Sequence, residues 1–169
     1  MLKELSKYVV IGIIAGGISY LIFTKESVSI KITETSENNP IIVKSSYNEI
    51  YNIVKDSVVT INTDLGRGSG VIVTNDGHVV TNEHVIRSAK NIKIITADNI
   101  SYPAKIVGVD SITDIALLKS NYFGRALTFS DSSKVKIGDI VLAIGNPFGV
   151  GQTLTQGIIS RTNSDHITE

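Results

Sequence analysis

The chain has no cysteine among its 169 residues. Disulfides, thiolate nucleophiles and cysteine-based zinc sites are therefore excluded, while the compartment stays open, because exported proteins often do without cysteine. Neither sign of charge is in excess: 16 Lys and Arg balance 16 Asp and Glu, so no charge-driven affinity for nucleic acid is expected. There is no low-complexity tract and no repeat, and no histidine stands at a metal-ligand spacing. Gly145 to Gly151 is a glycine-rich loop, but it lacks the Gly-Lys-Ser/Thr of a phosphate cradle and the βαβ setting of a dinucleotide site. No cofactor is called for. Of the residues present 42% are apolar, enough for a real core in one ordinary domain, or in one domain and part of another.

At the N-terminus, Lys3 and Lys7 precede an uncharged run from Tyr8 to Phe23 that ends at Lys25 and Glu26. As a helix the run covers about 24 Å, slightly short of a bilayer core of roughly 30 Å, a difference that tilting or local thinning makes up. Positive charge before the run predicts a cytoplasmic N-terminus and export of the remainder. A cleaved signal peptide is the rival, but no A-x-A-like site follows the run. Residues 1–25 are thus expected to be a signal anchor, and the domain to lie on the extracytoplasmic side of the cell membrane. Residues 26–46, polar and interrupted by Pro40, read as a tether. Tyr47, Ile50, Tyr51 and Val54 then fall at helical spacing.

Beyond Ser57 the pattern changes to short strands. Val58–Ile61 is the first, Gly68–Thr74 the second, and His78–Thr81 the third, with the latter two joined by a tight turn at Asn75-Asp76-Gly77. Ile92–Ile94 alternates, Asp98-Asn99 marks a turn, and Tyr102, Ala104 and Ile106 alternate again. Ile115 to Leu118 is continuously apolar, as a strand buried on both faces would be. Such spacing, with almost no helix, predicts an all-β closed antiparallel barrel over residues 47–129. A second unit is expected to begin at the polar joint Ser130–Ser133, with strands at Ile140–Ile144 and Gln152–Arg161, so that 130–169 is the start of another barrel.

His84 ends one apolar strand and Asp114 begins another, thirty residues on. Histidine takes and returns a proton near neutral pH, and a buried carboxylate fixes its tautomer and steadies the imidazolium. Taken alone, His84 could equally be a packed or surface residue, and Asp114 a turn residue capping Ser111-Ile112-Thr113. Ser69, between two glycines, has the only serine setting that looks like a nucleophile turn. It runs straight into an alternating strand, where glycines serve close packing or a bulge. His78 and His166 read as solvent-facing, and Ser160 and Ser164 lack a glycine-rich turn.

The motifs Gly68-Ser69-Gly70-Val71-Ile72, Asp76-Gly77, Thr81-Asn82-Glu83-His84-Val85, Thr113-Asp114-Ile115-Ala116-Leu117-Leu118-Lys119 and Ile144-Gly145-Asn146-Pro147-Phe148-Gly149 come in the order and rough spacing of the HtrA/Deg serine proteases. From about Tyr47 to Arg161 the chain resembles these trypsin-like enzymes of the bacterial envelope. The resemblance implies two six-stranded barrels with a catalytic triad in the cleft between them. His84 would be the general base and Asp114 the carboxylate that orients it. The family's serine lies in a Gly-Asn-Ser-Gly-Gly turn, and that sequence does not occur in these 169 residues. Loss of the nucleophile costs on the order of a millionfold in turnover, so this chain alone is not expected to hydrolyse peptides. The resemblance further implies unfolded or damaged envelope proteins as substrates, a homotrimer and no cofactor. Two expectations follow: the N-terminal portion of an anchored HtrA-like serine endopeptidase, or an anchored, non-catalytic binding module or inactive fragment.

Overall fold

The structure is a computed structural model that describes residues 21–24, 44–146 and 151–162. Its strands are β1 (Leu21–Thr24), β2 (Val58–Thr63), β3 (Arg67–Ile72), β4 (His78–Asn82), β5 (Ile92–Ile95), β6 (Ser101–Asp110), β7 (Ile115–Ser120), β8 (Ile140–Gly145) and β9 (Thr153–Ile158). Among the described residues two α-helices accompany them, α1 (Lys44–Val54) and the single turn α2 (Glu83–Ile86). Strands β2 to β7 close into an antiparallel barrel in the order β2-β3-β4-β7-β6-β5, as the strand spacing predicts. Strands β1, β8 and β9 form a separate three-stranded sheet with β8 in the middle.

Alternation along the barrel strands serves two cores at once. Val59 and Ile61 of β2, Ile72 of β3, Val79 of β4 and Leu118 of β7 fill the barrel interior, all essentially inaccessible to solvent. Their neighbours Val58 and Val71 turn the other way, into a second core shared with Val54 of α1 and with Leu142 and Ile144 of β8. Helix α1 lays Tyr47, Ile50 and Tyr51 onto this outer core, as its spacing predicts. Each fully buried Val, Leu or Ile contributes about 1.5–3 kcal/mol relative to an exposed one, so both cores are substantial. The glycines around Ser69 are there for packing: a Cβ at Gly68 would lie 2.6 Å from Val85 Cγ2, and one at Gly70 would lie 2.8 Å from both Ile61 Cδ1 and Val79 Cγ1.

Several expectations are corrected. Strand β7 is buried on one face only: Ala116 and Leu118 are inside, Ile115 is exposed and Leu117 half-buried, because β7 is a barrel-wall strand with an outer side. Ile106 does not continue the inward set of Tyr102 and Ala104; it is exposed, where β6 shifts register against β7 between Ile106 and Gly108. The last strand is shorter than Gln152–Arg161, ending at Ile158. Leu21–Thr24, the end of the apolar N-terminal run, is a strand paired with β8 rather than helix. The rest of that run, nearly all of the expected tether, Pro147–Val150 of the glycine-rich loop, Ser164 and His166 lie outside the described residues. Among the described residues no helix is long and apolar enough to cross a membrane.

The β3–β4 turn is closely packed against the chain that follows β7. Gly77 has φ 95°, and a Cβ there would meet Tyr122 O at 2.3 Å and Ser120 O at 2.5 Å. Gly77→Ala combines a left-handed backbone with a backbone clash and should destabilise by about 1–3 kcal/mol or more. Gly66→Ala meets nothing within 4 Å and should stay within about 0.5 kcal/mol of wild type. Urea unfolding of the two variants tests this; equal midpoints would contradict it.

Candidate active site

The β4–β7 ladder pairs His78 with Lys119 at one end and Asn82 with Ile115 at the other. That register sets the residues following β4 beside the residue preceding β7, and so brings together positions thirty apart in the chain. Glu83 N donates to Asp114 O at 3.1 Å, holding the two strand ends together through the backbone. Asp114 itself adopts φ 56°, a left-handed conformation that aspartate tolerates better than most side chains. The capping of residues 111–113 belongs to Asp110, whose Oδ1 accepts from Ile112 N at 2.9 Å and whose Oδ2 accepts from Thr113 Oγ1 at 2.7 Å. Asp114 is thereby left for another task.

Its carboxylate is aimed at His84. Oδ1 accepts from His84 N at 2.8 Å, and Oδ2 lies 2.6 Å from His84 Nδ1. Asn82 Nδ2 also donates to Oδ2, at 3.1 Å, and to Asp114 O at 3.3 Å. Burial by itself pushes the Asp114 carboxyl up, but the His84 N–H, the His84 ring and the Asn82 amide together outweigh it and hold the group below the ordinary carboxylate range. An ionised carboxylate only accepts, so the proton shared with it sits on His84 Nδ1, and Nε2 keeps its lone pair. The His84 side chain is 33% exposed and that of Asp114 20%. The pair therefore has one sheltered member and one that a reactant can reach. Glu83, buried next door, is neutralised by Arg87 Nη2 at 2.5 Å.

The docking roles of Asn146 and Gln152 had no separate signal in the sequence. Asn146 N donates to Ser69 Oγ at 2.8 Å, and Asn146 Nδ2 donates to Thr60 Oγ1 at 2.8 Å. Gly151 N donates back to Asn146 Oδ1 at 3.1 Å. Gln152 Nε2 donates to Lys55 O at 2.7 Å and Val58 O at 3.0 Å, while Tyr51 OH donates to Gln152 Oε1 at 3.2 Å. The second sheet is thus docked on the barrel by two side-chain amides. Ser69 is 3% exposed, and its hydroxyl accepts from the Asn146 backbone, which fits a docking role and leaves no room for a nucleophile. A polar side chain between two strand glycines was the one hint of this, since such a residue must find a buried partner. Ser160 is exposed and remote from any turn of that kind. His78 is less solvent-facing than expected: its side chain is 28% exposed, and Nδ1 lies 3.0 Å from Asp76 Oδ1.

A closed six-stranded barrel carrying a His–Asp pair at the end of its β4–β7 ladder is one of the features by which trypsin-like peptidases are known, and residues 68–168 match the family described as trypsin-like peptidase domain. The serine endoprotease DegS of Salmonella typhimurium is 44% identical over 122 residues, covering 71% of this chain and 33% of that protein. A probable periplasmic serine endoprotease of DegP-like type from Brucella suis is 41% identical over 104 residues, covering 60% of this chain and 20% of that protein. Among solved structures, the HtrA-type protease AlgW with tripeptide superposes with a TM-score of 0.65 at 38% identity, covering 73% of this chain and 42% of that one. The serine endoprotease from Yersinia pestis gives the same TM-score and identity, over 72% of this chain and 46% of that one. The chain belongs to the HtrA/Deg family of trypsin-like serine proteases. It spans about a third of the length of the DegS relative.

The depressed Asp114 carboxyl gives a pH signature. Because its folded value lies below its unfolded one, the stability it supplies is full above the unfolded carboxylate range near pH 4 and is lost as pH falls through the lower folded value. The stability difference between wild type and Asp114→Asn, from urea unfolding, should shrink as pH falls below about 4. A difference that stays constant down to pH 2 would contradict this.

Proposed function

We propose that the chain is part of an HtrA-type serine endopeptidase in which His84 is the general base and Asp114 the carboxylate that orients it. The reading rests on the 2.6 Å contact between His84 Nδ1 and Asp114 Oδ2, reinforced by the His84 N–H on the other oxygen. With Nδ1 tied down, Nε2 takes the proton of a serine hydroxyl as that oxygen attacks the peptide carbonyl. The same nitrogen returns the proton to the leaving amine, and water then cleaves the acyl-enzyme with His84 again as base. On this reading the serine and its oxyanion donors come from the remainder of the second barrel and not from the described residues. Residues 47–129 would be the first barrel and 130–169 the start of the second.

The names of the relatives, serine endoproteases and in one case a periplasmic one, support an envelope setting and protein substrates; unfolded or damaged proteins as those substrates, and a homotrimer, are carried over from the family resemblance alone. The apolar run from Tyr8 supports a single membrane anchor within residues 1–25, ahead of β1, with the tether at 26–46 and the barrel on the extracytoplasmic side.

The test uses the native product, captured from a membrane extract with an antibody to residues 47–129 and assayed on unfolded casein. Casein hydrolysis should be abolished by His84→Ala and lowered on the order of ten-thousandfold by Asp114→Asn. Hydrolysis indifferent to His84→Ala would overturn the assignment, and a captured product that binds casein without cleaving it would replace the peptidase by the binding module.

A further inference from the structure

Asn82 ends β4 and stands at the N-cap position of α2, with extended backbone angles of φ −76° and ψ 144°. Asparagine is among the residues best suited to that position, because its side-chain oxygen can accept from an N–H of the first helical turn. Here it makes no such cap. The side chain is turned toward the start of β7 instead. Asn82 is 3% exposed, and its Nδ2 donates to Asp114 Oδ2 at 3.1 Å and to Asp114 O at 3.3 Å. The stabilisation that a cap supplies is given up for contact with a residue 32 positions on. Such a break with a local rule is expected where a site needs the side chain elsewhere.

Among the described residues, both other hydrogen bonds to that carboxylate come from His84, through its N–H and its Nδ1. Asn82 is therefore the side chain that holds Asp114 independently of its partner. By gripping the carboxylate and the carbonyl of one residue, it also braces the left-handed backbone at Asp114.

We infer that Asn82 is a positioning residue for His84: it fixes the direction of the Asp114 carboxylate and, through it, the imidazole. The inference rests on the general-base reading of His84. The donor is an amide, so it carries no charge and keeps its protons across the working pH range. It steadies the carboxylate without competing for the charge that appears on His84 when Nε2 takes a proton. Burial pushes the Asp114 carboxyl up, while the His84 donors and the Asn82 amide pull it down below its ordinary range. The carboxylate thus stays ionised and leaves the proton on Nδ1.

Asn82→Ser and Asn82→Thr separate this role from simple packing. Their hydroxyls stop one bond short of the amide nitrogen, so the contact with Asp114 is lost, while both side chains can still cap α2. Thr81→Val is the control. It deletes a buried hydrogen bond, from Thr81 Oγ1 to Ser69 O at 2.8 Å, one residue away and with a different partner. In the full chain, labelled with carbon-13 at the aspartate carboxyls, the Asp114 titration midpoint should rise in both Asn82 variants and keep its wild-type value in Thr81→Val. Either variant suffices should the other fold poorly. In the native product captured from a membrane extract, each Asn82 variant should lower kcat on casein about tenfold with KM unchanged. An unmoved midpoint in the Asn82 variants, an equal rise in Thr81→Val, or an unchanged kcat would overturn the inference. A raised midpoint in a product that never cleaves casein would uphold the hold on Asp114 and remove the general-base reading.

Discussion

The pairing of Asn82 with Ile115 at the end of the β4–β7 ladder is the constraint from which the site follows. A one-residue slip in a strand turns every side chain to the opposite face, so this register controls both the core and the chemistry. Slipped, Ala116 and Leu118 would leave the interior, and Asp114 would move away from the His84 N–H. Both ends of the ladder are fixed by polar contacts. At one end Lys119 Nζ donates to Asp76 O at 2.6 Å and Asp76 Oδ2 at 2.7 Å, beside His78. The Lys119 ammonium, with Thr74 and His78, holds the Asp76 carboxyl well below the usual range. At the other end Asn82 and the Glu83 N–H hold Asp114. Between them, apolar burial excludes any other register.

Barrel wall and second sheet are coupled through the outward side of β2. Val58 and Thr60 alternate with Val59 and Ile61, so one strand serves the barrel interior and the contact with β8. Around the apolar contact of Val58, Leu142 and Ile144, the amides of Asn146 and Gln152 satisfy backbone and hydroxyl groups that burial would otherwise strand. The loop that begins at Asn146 is therefore anchored to the same barrel whose rim carries His84. Positioning across the two units depends on side-chain amides, whose hydrogen-bond geometry is directional, more than on apolar contact, which is not.

The barrel was legible in the sequence because its strands are short, punctuated and two-sided, and because Asn75-Asp76-Gly77 names its own turn. The pairing of His84 with Asp114 was legible through their flanking motifs and not through any property of the two residues alone. The interior face of β7 was misread, since Ile115-Ala116-Leu117-Leu118 is apolar throughout and gives no period to read. The bulge after Ile106 leaves no mark in the alternation that precedes it. The docking roles of Asn146 and Gln152 were missed because they depend on partners 77 to 101 residues away, and no local pattern encodes them. Leu21–Thr24 was read as the end of a helix because an apolar run suits a membrane and a sheet edge equally well.

The central claim is that the fold delivers a histidine whose Nδ1 proton is committed to a carboxylate, leaving Nε2 as a base. Nitrogen-15 NMR of the imidazole in the selectively labelled protein measures this directly. At a pH where His84 is neutral, Nδ1 should appear protonated and Nε2 unprotonated, and Asp114→Ala should reverse that preference. A neutral His84 carrying its proton on Nε2 in the wild-type chain would contradict the account.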